Sequence, residues 1–201
     1  SLATVRAAAD AALREGEVWA YRAALEVQAE SFSDAETSVA RALRGDPNQP
    51  EALLVRALLG IEEGDLTGAA RAADRAERSA TTRGLPPSFA ARVAAIRGRL
   101  RFEAGDEPDA ARLGAQAIEL DAHAGLAHLL LADVAIATHE DPVPHLRAAV
   151  QGTAAPLEAI GRLAMRLRTR SKTCGFAHAY VERAPTGYDH DEIDDVLRHC
   201  R

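Results

Sequence analysis

Two cysteines and seven histidines are the residues of this 201-residue chain best suited to hold a metal ion. Cys174 and His178 stand four apart, one helical turn, and His190, His199 and Cys200 follow. Zinc takes thiolate and imidazole ligands at such spacing. No CxxC or HExxH pair accompanies them, and the gaps between candidates are loose, so no metal or other cofactor is expected. The two cysteines could instead be bridged to each other if the compartment is oxidising. His123, His128, His139 and His145 read as surface or turn residues. The adjacent carboxylates Glu62 and Glu63 fall where a helix end wants solvation. A glycine-rich phosphate loop, a GxSxG elbow and a dinucleotide fingerprint are all missing, so the sequence predicts no enzyme.

Arginine offers a second chemistry, the bidentate recognition of acidic groups. Arg22, Arg56 and Arg97 recur at one place in a repeated phrase. They could present a guanidinium stripe to an acidic partner. The reading favoured here lays each stem over alanine-rich surface and pairs the charge nearby, as with Glu26 one turn beyond Arg22. Arg162, Arg166, Arg168, Arg170 and Lys172 form a basic run, but Asp189, Asp191, Glu192, Asp194 and Asp195 follow and offer it an internal match. The net charge of −6 argues against a dedicated nucleic-acid binder, which depends on phosphate neutralisation.

The elements that must carry these residues are helices. Period-two alternation is absent, and helical periodicity runs throughout. Alanine accounts for 45 residues and aromatics for only 4%. Such a composition gives closely approaching helices and a thin core shared among many units. Breaks are expected at Gly16, Gly45-Asp46-Pro47, Gly64-Asp65, Gly84 to Pro87, Gly105-Asp106, Ala122 to Gly125, His139 to Pro144, Gly152, Gly175, and Pro185 to Gly187. No apolar stretch reaches the roughly 20 residues that span a bilayer.

The organisation is repetitive. Tyr21-Arg22-Ala23, with Leu25 and Val27, returns thirty-four places on as Val55-Arg56-Ala57, with Leu59 and Ile61. It returns again as Ile96-Arg97-Gly98, with Leu100 and Phe102, a step lengthened by a seven-residue insertion. The original step then brings Leu130-Leu131-Ala132, with Val134 and Ile136. Small residues at fixed places let paired helices touch. Gly64-Asp65 and Gly105-Asp106 end one helix and cap the next.

On these residues the chain resembles the tetratricopeptide repeat family, in a divergent form, with units at 16–49, 50–83, 91–124 and 125 to about 152. Trp19, Ala23, Ala35, Ala42 and Pro47 match the pattern in the first unit. Ala57, Ala69 and Ala76 match in the second, and Gly98, Ala110 and Ala117 in the third. The fourth is degenerate, with Pro144 where an alanine belongs. The resemblance implies an all-α, right-handed alpha-alpha superhelix, a solenoid of about four hairpins over 16–152. Residues 1–15 would add one helix, marked by Leu2, Val5, Ala9, Ala12 and Leu13. Residues 84–90 would be a loop or a helix extension. Residues 153–201 would form a helical C-terminal cap, with a capping box at Asp189 and Glu192.

The resemblance further implies a concave groove lined by the first helix of each hairpin. Carried over residue by residue, its lining is Ala20, Ala24 and Val27, then Leu54, Leu58 and Ile61, then Arg92, Arg99 and Phe102, then Leu129, Asp133 and Ile136. The places where co-chaperone relatives hold a carboxylate with lysine and asparagine carry Ala20, Ala24, Leu54 and Leu58, which disfavours that clamp. The expected function is a non-enzymatic scaffold or adaptor binding a peptide or amphipathic helix of another protein, within a bacterial multiprotein assembly. The alternative is a structural subunit of an envelope, secretion or motility complex, or a homo-oligomer, assembled through its ends or outer face. The compartment stays open between cytoplasm and periplasm, with a lipoprotein-derived fragment as one reading.

Overall fold

The computed structural model describes residues 2–152, 157–166, 170–183, 193, 196–198 and 200; for 2–13, 157–158, 166, 170–173 and 183 it describes the backbone alone. Ten α-helices follow one another among the described residues. They are α1 (Leu2–Gln28), α2 (Phe32–Gly45), α3 (Pro50–Glu62), α4 (Leu66–Arg83), α5 (Pro87–Glu103), α6 (Glu107–Leu120), α7 (Gly125–Ala137), α8 (Val143–Gln151), α9 (Leu157–Arg166) and α10 (Arg170–Arg183). The chain divides into two compact units, and within each of them consecutive helices pack on one another. One comprises Ser1–Val27 with Ser31–Pro86, the other Gln28–Glu30 with Pro87–Arg201.

The repeat is written into the backbone. Glu30, Gly64, Gly105 and His139 all have positive φ, between 56° and 77°, and follow one another at the steps of the repeated phrase. Each is the turn between the two helices of a hairpin. Glycine takes the left-handed region freely, whereas Glu30 and His139 enter it at a cost of about 1 kcal/mol. Asp65 and Asp106 then cap the second helix, accepting from the amides of Gly68 at 2.9 Å and Asp109 at 3.2 Å. The turn between hairpins repeats as well. Asp46 accepts from the Asn48 amide at 3.0 Å, and Asp121 accepts from the His123 amide at 2.9 Å.

Hairpins close on small residues. Ala23, Ala57, Gly98 and Ala132 occupy one repeat place and are buried, as are Ala35, Ala69 and Ala110 at another. A Cβ added at Gly98 would lie 2.4 Å from Leu130 Cδ2 and 3.2 Å from the Ala110 carbonyl oxygen. Large side chains fill what remains between them, among them Leu53, Leu59, Ile96, Leu130 and Leu146.

The seven-residue insertion is neither a loop nor an extension of one helix alone. Ala80 stands where Asp46 and Asp121 end their helices, and alanine has no side chain with which to turn the chain. Helix α4 therefore continues to Arg83 and ends on Gly84 in the left-handed region. Helix α5 starts early, at Pro87. Arg83, on the added turn of α4, pairs with Asp46 at 2.6 Å. Arg75 and Ser79 donate to the carbonyl oxygens of Pro47 and Asn48, at 2.7 and 2.5 Å.

Two expected breaks do not occur, and the one at His139 to Pro144 occurs with Pro144 already inside the next helix. Helix α1 passes through Gly16, so residues 2–15 prolong the first hairpin helix instead of forming one of their own. An added Cβ at Gly16 would meet the Ala42 carbonyl oxygen at 3.2 Å, so this glycine serves close approach and not termination. Helix α10 likewise passes through Gly175, for which nothing in its surroundings gives a reason. Pro144 lies in the first turn of α8, where its missing N–H is no loss. The boundary near Pro185 to Gly187 and the capping box at Asp189 and Glu192 lie outside the described residues, as does Leu167.

Candidate functional site

The predicted groove residues fall into two sets, one in each unit. In the first unit Leu54 is fully buried, while Ala24, Val27, Leu58 and Ile61 are half-buried. Ala24 and Val27 pack on the core formed by Ala23, Ala35, Val39, Val55 and Leu59. Leu58 and Ile61, one turn apart on α3, thus offer the partly open apolar surface of that helix.

In the second unit Arg92, Arg99, Phe102 and Ile136 are half-buried, and Leu129 and Asp133 are buried. Leu129 packs with Leu146, Ala149, Ala159 and Leu163 of α8 and α9, which makes it a core residue and not a lining one. Phe102 leans on Ala110, Leu130 and Val134. The repeat register puts Ala95, not Arg92, at the place of Leu54 and Leu129, so Arg92 lies off the row it was assigned to. Its guanidinium carbon stands 5.7 Å from the centre of the Phe89 ring.

Arg99 and Asp133 occupy the same place in successive repeats and bond to each other. Asp133 also accepts from Arg162 of α9, and the Nε of Arg99 pairs with Glu103 at 2.8 Å. The guanidinium of Arg99 lies 5.6 Å from the centre of the Phe102 ring. A buried carboxylate is tolerated when charge-assisted bonds replace its water, and Asp133 has two. The expectation that Arg99 stands open to an acidic ligand is therefore corrected: it is engaged by two internal carboxylates. Arg162 leaves the basic run in the same way, its charge turned inward to Asp133. The side chains of Arg166, Arg168, Arg170 and Lys172 lie outside the described residues. Sequence spacing holds no sign of this role for Arg162, since α9 stands outside the repeat.

Of the arginines of the repeated phrase, Arg22 is drawn into a local pair. Arg22 donates to Glu26 at 2.5 Å, and the other carboxylate oxygen of Glu26 accepts from Ser38 at 2.6 Å. Trp19 is covered by Arg41 at 4.3 Å and Arg22 at 5.2 Å. At the end of α3, the hydrogen bond that the protonated Glu63 carboxyl donates to Glu36 is the first cause pushing Glu63 above the usual carboxylate range, on open surface.

Helices α9 and α10 complete the second unit. Ile160, Ala164, Ala177, Tyr180 and Ile193 form its core there. The Tyr180 hydroxyl donates to Glu30 at 3.1 Å. Cys174 and Cys200 are joined in a disulfide, so neither offers a thiolate to a metal. No cluster of three metal-ligating side chains occurs among the described residues. His190 and His199 lie outside them. His128 and His145 stand with ring centres 5.9 Å apart. Burial, then the charge of His128, holds the His145 imidazole below its ordinary range.

A succession of helical hairpins at this period, with small residues at the contact places, defines a tetratricopeptide-type solenoid fold. A solved structure carries the same fold: a thermophilic tetratricopeptide repeat protein of Thermus thermophilus, TTC0263, superposes with a TM-score of 0.55 over 94% of this chain and 98% of that one, at 18% identity. PilF of Pseudomonas aeruginosa matches at a TM-score of 0.45 and 14% identity, over 92% of this chain and 99% of its own. PilW, described as a type IV pilus biogenesis factor, matches at 0.47 and 15% identity, over 90% and 86%. At scores below 0.5 these two add nothing to the fold assignment. No protein-family model matches the chain, and no curated protein does. No described helix is long and apolar enough to cross a membrane.

Proposed function

We propose that the protein is a non-catalytic scaffold that binds a peptide or amphipathic helix of another protein along the partly open faces of its first-of-pair helices. The observation that carries this reading is the exposure pattern at one row of the repeat. Val27, Ile61, Phe102 and Ile136 recur at the sequence period, are apolar in every hairpin, and are half-buried in every hairpin. A row that served only the core would be closed, as the row of Ala20, Leu54, Ala95 and Leu129 is. Stacked repeats offer such rows as extended recognition surfaces, and a stiff stack lowers the ordering cost of binding. Residues 153–201 are proposed to cap the solenoid, and the anchors are Leu58 and Ile61 in the first unit and Phe102 and Ile136 in the second, where Arg92 is also proposed to take part.

The test is capture of partners from an extract of the source cells by the wild-type chain and by a paired Leu58→Asp and Phe102→Ala variant with unchanged helix content. Loss of the captured proteins supports the reading. Unchanged recovery rejects these rows as the binding surface.

A further inference from the structure

Cys174 and Cys200 are the two cysteines of the chain, and they are joined to each other. Cys174 lies in α10, and Cys200 follows it by 26 residues, in the segment that begins at Ile193. Both are half-buried and not enclosed. Gly175, the next residue of α10, is exposed, and among the described residues nothing stands within 4 Å of where its Cβ would be. Packing thus gives no reason for a glycine in this helix. Its backbone freedom loosens α10 beside the bond and leaves the helix uncovered there. Disulfides that staple a core resist reduction, whereas exposed ones are the labile and regulatory ones.

What the bond holds is small. Ile193 is fully buried with Ile160, Ala164, Ala177 and Tyr180, and Val196 and Leu197 are half-buried on the same core. One closed apolar side chain and two half-closed ones offset the ordering of only about three residues. The segment from 193 to 200 is longer than that. The remaining constraint is covalent: a bond across 26 residues removes freedom that a released segment would regain.

We propose that the Cys174–Cys200 bond is a redox latch on this segment. Closed, it holds Ile193, Val196 and Leu197 against α9 and α10. Opened by a dithiol, it lets them leave and uncovers Ile160, Ala164, Ala177 and Tyr180. The exchange balances between its two partners. A thiolate of the dithiol attacks one sulfur, forms a mixed disulfide and expels the other sulfur as a thiolate. The second thiol of the reductant then closes its own disulfide and releases the first cysteine. Two electrons pass to the cysteine sulfurs, which take up two protons, and the dithiol leaves oxidised. Helix α9 keeps its place through Leu163 with Leu129 and Leu146, and through Arg162 with Asp133, contacts in which the bond has no part. Opening is therefore confined to the last segment of the second unit.

The test is hydrogen–deuterium exchange on the full chain, oxidised and in dithiothreitol, with thiol titration to count the cysteines released. The expected result is two free thiols per chain, exchange about a hundredfold faster over 193–200, and unchanged exchange in α5, α6 and α7. A Cys174→Ser/Cys200→Ser variant should exchange as the reduced chain does, with or without dithiothreitol. A bond that the native chain does not surrender to dithiothreitol overturns the proposal. So does unchanged exchange over 193–200 once both thiols are free. Faster exchange spread evenly through α5 to α10 overturns it too, since the bond would then staple the whole unit. None of these results touches the Leu58 and Phe102 surface, so this proposal and the partner-binding one fail separately.

Discussion

The two units use one repeat plan and solve one place in it differently. At the place of Ala24 and Leu58 in the first unit, the second unit has Arg99 and Asp133. The first unit keeps that row small or apolar and leaves Leu58 half-buried. The second buries a carboxylate there and satisfies it with two guanidinium groups, one from the repeat and one from α9. A buried charge demands partners wherever they can be found. The consequence is that Arg162 adds a charged tie to the apolar packing of Ala159 and Leu163 that holds α9 in the second unit, while the row is carried in the first by Ala24 and Leu58, which have no charge to tie.

The largest test of the comparison is steric. Gly98→Val puts two methyl groups beyond a Cβ that is already 2.4 Å from Leu130, and should cost about 3 kcal/mol. Trp19 is the single tryptophan and lies in the first unit, so its fluorescence follows that unit while far-ultraviolet dichroism follows all helices. In a urea titration the dichroism midpoint should fall further than the tryptophan midpoint. Equal shifts would show that the two units melt as one. Breaking the Cys174–Cys200 bond, which closes a separation of 26 residues, should cost a similar amount, about 3 kcal/mol, again with the smaller change at Trp19.

Asp133→Asn comes next. It leaves Arg99 and Arg162 facing each other with no carboxylate between them, Arg99 keeping only Glu103, and should cost about 2 kcal/mol, less than a fully buried pair because both guanidinium groups are partly solvated. Asp133→Asn combined with Arg162→Met should recover part of that loss, measured as a double-mutant cycle. A gain follows at the strained turn. His139→Gly should stabilise by up to about 1 kcal/mol, whereas Gly105→Ala should lose about as much, both read from melting profiles. The smallest effect is one of pH. The unfolded His145 imidazole takes up a proton near its ordinary value of 6.5, while the folded one resists until lower pH. The unfolded state therefore binds more protons, and stability should be complete above that value and decline as pH falls below it. His145→Gln should flatten that decline.

The period is legible because alanine and glycine at contact places have few substitutes. Gly64 and Gly105 announce their turns, and Pro142 and Pro144 mark the one at His139; Glu30 has no such sign, since nothing local marks a non-glycine residue forced into the left-handed region. The length of the insertion is readable, but its division between α4 and α5 depends on Ala80 lacking the side chain that Asp46 and Asp121 use to turn. Gly16 reads as a terminator because a glycine in close contact looks the same in sequence as one that ends a helix. For the candidate surface, row membership is readable and burial is not. Leu54 and Leu58 differ by one turn and by tertiary packing alone. Arg99 and Asp133 both stand out in the sequence, and their opposite charges at a separation of 34 hold the clue that they serve each other.

The measurement that bears most directly on the scaffold reading is hydrogen–deuterium exchange on the chain alone and on its captured complex. Slowed exchange should gather in α3, α5 and α7, around Leu58, Phe102 and Ile136, with α2, α4 and α6 unchanged. Protection confined to the second-of-pair helices, or to α1 alone, would contradict it.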